Sequence, residues 1–177
     1  MNLARAASNL SRPDRFLMHR LNRWRPPRWF RVWMLAATRA GDGWLWWCCA
    51  LAVLASNDAA RHAALGAAAV AVVAGICSFK LLKHTVGRKR PCATEPHCWS
   101  TVLPPDQFSF PSGHSITAFA VAISLGTFYP ATLPVLLFCA ASVALSRVVL
   151  GMHYLSDVVA GGALGATFGY LAAGLFR

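Results

Sequence analysis

Long apolar blocks, separated by short stretches that hold nearly all of the charge, constrain this chain more than any other feature of its sequence. Of the 177 residues, 56% are hydrophobic and 13% are charged, whereas about 25% of residues are charged in an average soluble domain. This composition excludes a disordered chain, a collagen and a solenoid of repeats. The pattern predicts a protein embedded in a lipid bilayer.

Five apolar blocks are candidates for crossing the bilayer. Backbone polar groups in hydrocarbon must pair within their own segment, so we expect each block to be a helix. The first and third blocks are shorter than the roughly 20 residues that a crossing needs, so we expect them to borrow flanking residues, to tilt or to thin the bilayer. The predicted fold is all-α, a bundle of about five membrane-spanning helices. The blocks cover residues 43–56, 63–82, 115–129, 131–150 and 155–176.

The segment before the first block is basic. Residues 1–42 hold nine arginines among leucine, phenylalanine and tryptophan residues, a mixture that is typical of a helix in the headgroup plane. Only seven residues separate Arg31 from Arg39, too few to cross a bilayer. We therefore expect an amphipathic interfacial helix within 1–42, with a solvated tail as the alternative, and a membrane-embedded domain over 43–177.

The net charge of +11 requires an anionic partner. Phospholipid headgroups and nucleic acid are the two anionic surfaces to weigh, and the tryptophans beside the basic stretches favour the lipid. We expect the bilayer to be the partner and expect no nucleic-acid binding. The sequence leaves the oligomeric state open.

The last block repeats glycine every fourth residue, at Gly161, Gly165 and Gly169. Residues four apart share one face of a helix, and glycines there let another helix approach closely. A phosphate-binding loop is the alternative, but no strand precedes these glycines and no Lys-Ser/Thr pair follows them. We expect close helix packing.

The polar connection over residues 83–111 contains the first candidate for chemistry, the run from Lys83 to Pro91. Lys83 and Arg90 are nearly two helical turns apart, so both can project from one face at the membrane boundary. A guanidinium and an ammonium together can hold a phosphate without a metal. By itself, the run is also typical of basic residues that anchor a membrane helix.

The second candidate is Pro111-Ser112-Gly113-His114, directly before the third apolar block. Serine is a preferred helix N-cap, and the free amides of a helix's first turn bind anions. His114 would then lie beside a bound phosphate, where it can move a proton. A plain cap with an incidental histidine is the alternative.

The third candidate is Ser146-Arg147 followed, after five residues, by His153 and, four residues later, by Asp157. If the last helix has begun, His153 and Asp157 share a face, and the carboxylate can accept the hydrogen on Nδ1. Nε2 is then left as a nucleophile. A structural ion pair that caps the helix is the alternative.

Lys-x6-Arg-Pro, Pro-Ser-Gly-His and Ser-Arg-x5-His-x3-Asp occur in this order between Lys83 and Asp157. In these three signatures the sequence resembles the type 2 phosphatidic acid phosphatase superfamily, and the apolar blocks extend the resemblance over residues 43–176. Many members of that superfamily have six membrane helices, whereas this sequence has five apolar blocks.

The resemblance implies a metal-independent lipid phosphatase without a cofactor, which acts through a phosphohistidine. It implies His153 as the nucleophile, Asp157 as the residue that orients it, and His114 as the proton donor to the departing lipid oxygen. The phosphate oxygens would be held by the remaining signature residues, Lys83, Arg90, Ser112, Gly113 and Arg147.

Several lipids suit such a site, because a lipid carries its phosphate at headgroup depth and arrives by lateral diffusion. Phosphatidic acid, phosphatidylglycerophosphate and an isoprenoid diphosphate such as undecaprenyl diphosphate all meet this requirement. A catalytically inactive protein that binds anionic lipid headgroups is the alternative function. A vanadate haloperoxidase shares the superfamily's site, but the apolar blocks disfavour it.

Two helices before the first signature would put the amino terminus and the active site on one face of the membrane. The arginines favour the cytoplasmic face by the positive-inside rule. The outer face is favoured by the resemblance and by Cys92 and Cys98, which could form a disulfide in an oxidising compartment. We expect a bacterial cytoplasmic-membrane protein with a periplasmic site. A zinc site that adds His97 is an alternative for the two cysteines, but it lacks a fourth ligand.

Overall fold

Regular structure in this protein is almost wholly helical. The computed structural model describes residues 3–94 and 106–177, and within these ranges the one extended pairing is an isolated antiparallel bridge between Lys89 and Phe108. The α-helices of the described part are α1 (Leu3–Arg23), α2 (Arg28–Arg39), α3 (Leu45–Ala55), α4 (Arg61–Val86), α5 (Pro91–Thr94), α6 (Gly113–Phe128), α7 (Leu133–Val149) and α8 (Leu155–Leu175).

Each apolar block lies in a helix, which confirms the predicted helical membrane bundle. Among the described residues, three helical segments are long and apolar enough to cross a bilayer: α4, α8 and the run Pro130–Val149, in which a 3-10 turn leads into α7. α6 is apolar but shorter, with 16 residues. The predicted number of about five crossings therefore depends on α6 and on the segment that contains α3.

The first apolar block gains length from its amino-terminal flank, as expected for a short block. α2 continues into α3 through a π-helical turn, Ala40–Trp44, which bends the helix at Gly43. Gly43 has a φ of 126°, a conformation that residues with a Cβ rarely adopt. Residue 42, where the surface segment was expected to end, lies inside this turn.

The glycines of α8 lie against the backbone of α6, as predicted. A Cβ at Gly161 would come within 2.6 Å of the Ser112 carbonyl oxygen, and a Cβ at Gly165 within 2.2 Å of the Ile116 carbonyl oxygen. Helix association in lipid depends on such packing, because the surrounding lipid tails are as apolar as the side chains. The second signature lies at the amino-terminal end of α6, and the third signature ends with Asp157 in the first turn of α8. This contact therefore brings the second signature to the end of the third.

The outer faces of the long helices expose large apolar side chains. Val73 on α4, Phe138 on α7 and Tyr170 on α8 are each at least 60% exposed. Contiguous surfaces of this kind are an aggregation hazard in water. They suit contact with the hydrocarbon tails of a bilayer.

The three signatures meet at one end of the bundle because consecutive long helices alternate in direction. α4 and α7 end there, with Lys83 and Arg147 in their last turns. α6 and α8 begin there, with Gly113 and Asp157 in their first turns. Charged groups that are far apart in sequence thus lie at one depth.

Replacing Gly165 with alanine should lower the thermal stability of the protein, because the new Cβ would collide with the Ile116 carbonyl oxygen and push α8 away from α6. Overpacking of this kind costs about 1–3 kcal/mol. Gly174→Ala is the matched control on α8, since a Cβ there meets no described atom within 4 Å. The measurement is thermal unfolding in one detergent, and an unchanged midpoint for Gly165→Ala would contradict the packing argument.

Candidate active site

The buried His153 imidazole has a partner on each nitrogen, and the two partners agree on its tautomer. Nδ1 lies 2.6 Å from the carbonyl oxygen of Ser109, which can only accept a hydrogen bond. Nη1 of Arg90, which can only donate, lies 3.0 Å from Nε2. The hydrogen is therefore on Nδ1, and Nε2 carries the lone pair that a nucleophile needs.

Asp157 does not make the hydrogen bond that its spacing from His153 predicted. Its Oδ2 is 3.7 Å from Nδ1 of the imidazole, which is longer than a hydrogen bond. Instead, the Tyr154 amide donates to Oδ2 at 2.9 Å, and Arg88 donates to Oδ1 at 2.7 Å. The loop before α6 brings the Ser109 carbonyl closer to the ring, so Asp157 acts on His153 through its charge.

Burial lowers the pKa of His153 to about 4. The loss of water disfavours the charged imidazolium, and the positive charges of Arg90 and Arg147 repel it, while the Asp157 carboxylate opposes both effects. The ring is therefore neutral at pH 7, and its Nε2 lone pair is available for attack.

Lys83 and Arg90, from the first signature, converge on a single carboxylate. Arg90 donates through Nη2 to Oδ1 of Asp106 at 2.8 Å and through Nε to the Asp106 carbonyl oxygen at 2.9 Å. Lys83 forms an ion pair with the other carboxylate oxygen. Although burial raises the pKa of Asp106, the hydrogen bonds from the two cations outweigh it and lower that pKa below its ordinary value. The two cations are therefore placed to grip one small anion together.

Arg147, from the third signature, is a further buried cation of the site. Its Nη1 donates to the hydroxyl oxygen of Thr38 at 2.6 Å. Its Nε is buried and has no hydrogen-bond partner among the described residues. A buried donor without an acceptor is costly, and a phosphate oxygen would supply the acceptor that Nε needs.

Ser112 and Gly113 form the start of α6. The Ser112 amide donates to the Asp157 carbonyl oxygen at 3.1 Å, and the Ser112 hydroxyl oxygen accepts from Ser115 at 3.0 Å. The Ser112 amide therefore joins α6 to α8. The amides of Gly113 and of the next residue lie in the first helical turn, where no preceding carbonyl of the helix can accept them, and they are the amides that an anion could use.

His114 is paired with an acid from the π-helical turn. Its Nε2 donates to Oδ1 of Asp42 at 2.9 Å. Gly41 permits this approach, because a Cβ there would lie 3.4 Å from the His114 ring and 2.6 Å from Val143 on α7. Burial and the positive charge of Arg147 disfavour the charged imidazolium, and the Asp42 carboxylate offsets part of this effect. The charged form is the one that can donate a proton.

The predicted pairing of Cys92 with Cys98 stays a prediction, because Cys98 lies outside the described residues. The zinc alternative stays untested for the same reason, since His97 also lies there. Cys92 is partly buried at the start of α5, and its amide donates to the Gly151 carbonyl oxygen at 3.1 Å. This contact joins the residue after the first signature to the loop before His153.

Sequence reasoning missed four contributors to the site: Ser109, Asp106, Thr38 and Asp42. No signature includes them, and the last two lie in the segment that was assigned to the membrane surface. One signal was available for the acids. The chain has only six Asp and Glu residues, and an acid in apolar surroundings needs a cationic partner.

A sequence comparison gives the family of the chain. The sequence model of the PAP2 superfamily matches residues 63–177. This chain belongs to the PAP2 superfamily. The match contains the three signatures from Lys83 to Asp157, whereas Thr38 and Asp42 lie before it.

Curated relatives of this PAP2 protein match about half of its length. A decaprenylphosphoryl-5-phosphoribose phosphatase of Mycobacterium tuberculosis is 45% identical over 50% of this chain and 48% of its own length. A lipid A 1-phosphatase of Rhizobium johnstonii is 37% identical over 54% of this chain and 41% of its own length. The chain thus spans about half the length of these curated relatives.

Solved structures share the PAP2 fold over more of the chain. The transmembrane PAP2 type phosphatidylglycerolphosphate phosphatase from Bacillus subtilis superposes with a TM-score of 0.69 and 22% identity, over 99% of this chain and 87% of that chain. Aquifex aeolicus LpxE gives a TM-score of 0.69 and 21% identity, over 88% of this chain and 92% of that chain. These likenesses show that the helical arrangement is that of a PAP2 protein.

An apolar cavity of about 600 Å³ lies between α3, α4 and α6 of this PAP2 protein. Its lining includes Gly43, which follows Asp42, and Thr117, which is one helical turn after His114. Trp46, Leu51 and Val72 are among the apolar side chains that continue the lining. The cavity therefore adjoins the His114 side of the site.

The neutral state of His153 predicts a pH-dependent stability. Its pKa is about 4 in the folded protein against 6.5 ordinarily, so the unfolded chain takes up the proton first. Stability is therefore lost as the pH falls from 6.5 towards 4, with a slope that approaches about 1.4 kcal/mol per pH unit. His153→Asn cannot titrate and should lose less stability over this range, as measured by unfolding midpoints in detergent. Equal losses in both proteins would assign the pH dependence to other groups.

Proposed function

We propose that this chain is an integral-membrane lipid phosphatase, which hydrolyses a phosphate monoester or diphosphate of a lipid through a phosphohistidine intermediate. The observation that carries the proposal is the neutral His153 ring, with Nδ1 on the Ser109 carbonyl and Nε2 against the Arg90 guanidinium. The lone pair points at a cation that is also suited to a phosphate oxygen. Membership of the PAP2 superfamily supports the same chemistry.

In the first step, the Nε2 lone pair of His153 attacks phosphorus, and the bond from phosphorus to the lipid oxygen breaks. Arg90 moves its hydrogen bond from Nε2 to a phosphoryl oxygen at the same time. The proton on Nδ1 stays on the ring. The Ser109 carbonyl and the charge of Asp157 stabilise the positive charge that the ring gains.

His114 donates a proton to the departing lipid oxygen, and the Asp42 carboxylate favours the charged form against the opposing effects of burial and Arg147. The lipid leaves as an alcohol, or as a monophosphate when the substrate is a diphosphate. A water molecule then attacks phosphorus while His114 accepts its proton. The phosphorus–nitrogen bond breaks, inorganic phosphate leaves, and His153 is neutral again.

The oxygens of the phosphoryl group are held by the three buried cations and by the start of α6. Because Asp106 bonds to both Lys83 and Arg90, an incoming phosphate takes the place of that carboxylate. The exchange replaces one anion with another, so neither cation is left buried without a partner. This proposed chemistry uses no metal and no cofactor. The holding groups are Lys83, Arg90, Arg147, the Ser112 hydroxyl and the Gly113 amide.

The apolar cavity beside His114 supports a lipid leaving group, because it can accept hydrocarbon while the phosphate lies among the cations. Two relatives are named for a decaprenylphosphoryl-5-phosphoribose and for lipid A. We propose four substrate classes for comparison: phosphatidic acid, phosphatidylglycerophosphate, isoprenoid diphosphates and phosphorylated polyprenyl sugars.

The proposal also covers the location of the protein. Residues 1–42 lie along the membrane surface on the side of the active site, and this side is the periplasmic face of a bacterial cytoplasmic membrane. Contacts of Asp14 with Arg88 and of Thr38 with Arg147 support the shared side. Cys92 and Cys98, which lie in the polar connection, support the outer face, because a disulfide between them can persist in an oxidising compartment.

Purified protein should release inorganic phosphate from at least one of the four lipid classes in excess chelator. His153→Asn should reduce turnover at least about 1000-fold, because no lone pair remains at the attacking position. Its amide can still donate to the Ser109 carbonyl, so the fold should persist. The measurement is a phosphate-release panel, with orthovanadate as an inhibitor of the unaltered enzyme.

Asp58→Asn is the matched control for this panel, since Asp58 is exposed between α3 and α4 and, within the described part of the chain, its carboxylate accepts only the neighbouring Ala60 amide. It should leave turnover unchanged. Activity that survives in His153→Asn, or that needs added magnesium, would contradict the proposal. Retention of anionic lipid with no turnover in the unaltered protein would favour the binding protein instead.

Asp42→Asn should slow the hydrolysis of a lipid phosphate more than that of p-nitrophenyl phosphate. A lipid alkoxide needs a proton as it leaves, whereas nitrophenolate does not, and general acid catalysis contributes about 10²- to 10⁴-fold. We expect kcat/KM to fall about 10- to 100-fold for the lipid and less than about threefold for the aryl ester. kcat/KM is the quantity to compare because it excludes the later hydrolysis of the phosphohistidine. A uniform loss would show that Asp42 does not assist the proton donor.

In intact cells, an impermeant thiol reagent should label Cys92 and Cys98 only after reduction, if the loop faces the periplasm and the two are bonded. Disruption of the cells should not change the result. Labelling that requires disruption, with or without reductant, would place the active site in the cytoplasm.

A further inference from the structure

Asp14, on α1, lies outside the PAP2 match and yet contacts the site. Its side chain is 6% exposed, although carboxylates on surface helices ordinarily face water. Arg88 donates to its Oδ2 at 2.8 Å, and the Ser156 amide donates to its Oδ1 at 3.2 Å. The Ser156 hydroxyl also donates to Oδ2. This carboxylate therefore faces the bundle.

Arg88 connects Asp14 to the signature acid Asp157. Its Nη1 donates to Oδ1 of Asp157 at 2.7 Å and to the Ser156 hydroxyl at 2.7 Å, and its Nη2 donates to Oδ2 of Asp14. The guanidinium also lies over the Tyr154 ring, with 4.0 Å to the ring centre. A planar group that is held between two carboxylates and stacked on a ring has little freedom. Arg88 therefore fixes the position of Asp157 relative to Asp14.

Asp14 also acts on the backbone that carries Asp157. Ser156 is the second residue of α8, so its amide has no acceptor within the helix. Asp14 supplies that acceptor from a different helix and places a negative charge at the positive end of α8. The same helical turn contains Asp157, so both its side chain and its backbone are tied to Asp14.

α1 is held against the bundle by apolar packing as well as by charge. Met18, one turn after Asp14, is 1% exposed and belongs to a cluster with Ala144, Val148, Tyr154 and Val158. Tyr154 is also the ring beneath Arg88, so the apolar packing of α1 and its charged contact meet at this ring. A change at Met18 nevertheless leaves every charged and hydrogen-bonding group of the contact in place.

We infer that Asp14 is a positioning residue for the phosphatase reaction: through Arg88 and the first turn of α8 it holds Asp157, whose charge in turn supports the attacking tautomer of His153. The inference rests on the proposed function. It makes α1 a part of the catalytic apparatus in addition to a membrane-surface helix.

Asp14→Asn tests this inference, because asparagine keeps an oxygen for the Ser156 amide but loses the charge that holds Arg88. We expect kcat for the lipid substrate to fall about 10- to 100-fold, which is the range for slight misplacement of a reacting group. KM should change less than about threefold, since the residues that hold phosphate are not altered. In an Arg88→Gln background, the same substitution should change kcat less than about threefold, because the connection to Asp157 is already cut.

Wild-type kcat in Asp14→Asn would overturn the inference, and so would an equal loss in the two backgrounds. Met18→Ala is the matched control on α1, because it weakens the apolar packing of the helix and removes no charge and no hydrogen bond. It should lower the unfolding midpoint and leave kcat within about threefold. A loss of kcat in Met18→Ala as large as in Asp14→Asn would overturn the inference, since any loosening of α1 would then suffice.

Arg88→Lys provides a second variant if Asp14→Asn does not fold. Lysine keeps the charge but cannot bridge two carboxylates with a planar fork, so we expect a comparable loss of kcat at an unchanged KM. Wild-type kcat in Arg88→Lys would overturn the inference.

Hydrogen exchange separates this inference from the proposed function. Although asparagine still offers an oxygen to the Ser156 amide, the first turn of α8 loses its link to α1 through Arg88. Amides of residues 155–157 should therefore exchange at least about tenfold faster in Asp14→Asn than in the unaltered protein, whether or not the chain hydrolyses any lipid. Absence of turnover in the unaltered protein would defeat the proposed function alone. Unchanged exchange would defeat the structural basis of the inference.

Discussion

A neutral imidazole that is held between a carbonyl acceptor and a guanidinium donor is the contact on which the rest of the site depends. The Ser109 carbonyl takes the Nδ1 hydrogen of His153, and Arg90 faces the Nε2 lone pair. Neither partner can reverse its role, so the tautomer does not depend on a finely adjusted pKa. Burial then keeps the ring uncharged, because an imidazolium here would lack water and would lie beside a cation.

Such a site requires anions, since Lys83, Arg90 and Arg147 are buried close to one another. The chain meets this requirement with very few acids. Four of the five acids in the described part of the chain belong to the network around the site, each with a cationic or imidazole partner. Two of the four come from the helices before the PAP2 match, so those helices complete the electrostatics of the signatures. The four acids are Asp14, Asp42, Asp106 and Asp157.

Much of this protein could be predicted from its sequence. The apolar blocks predicted the helices, because hydrocarbon allows few other backbone conformations, and the glycine repeat predicted the close contact of α8 with α6. The placement of Thr38 and Asp42 in the site could not be predicted. It depends on the π-helical turn and on the close approach at Gly41, and neither has a periodic pattern that a sequence reveals.

By itself the sequence determined that the chain forms membrane helices. It also determined which chemical groups are available, namely three signatures in family order and a large excess of cations over acids. These follow from composition and local spacing, which set the periodicity of a helix and the identity of its side chains. Only the tertiary structure decided which oxygen orients His153, because the choice between the Ser109 carbonyl and Asp157 rests on about 1 Å of loop placement. It also decided that Asp14 faces the bundle, since a buried carboxylate is stable only where other helices bring it a cation and a free amide.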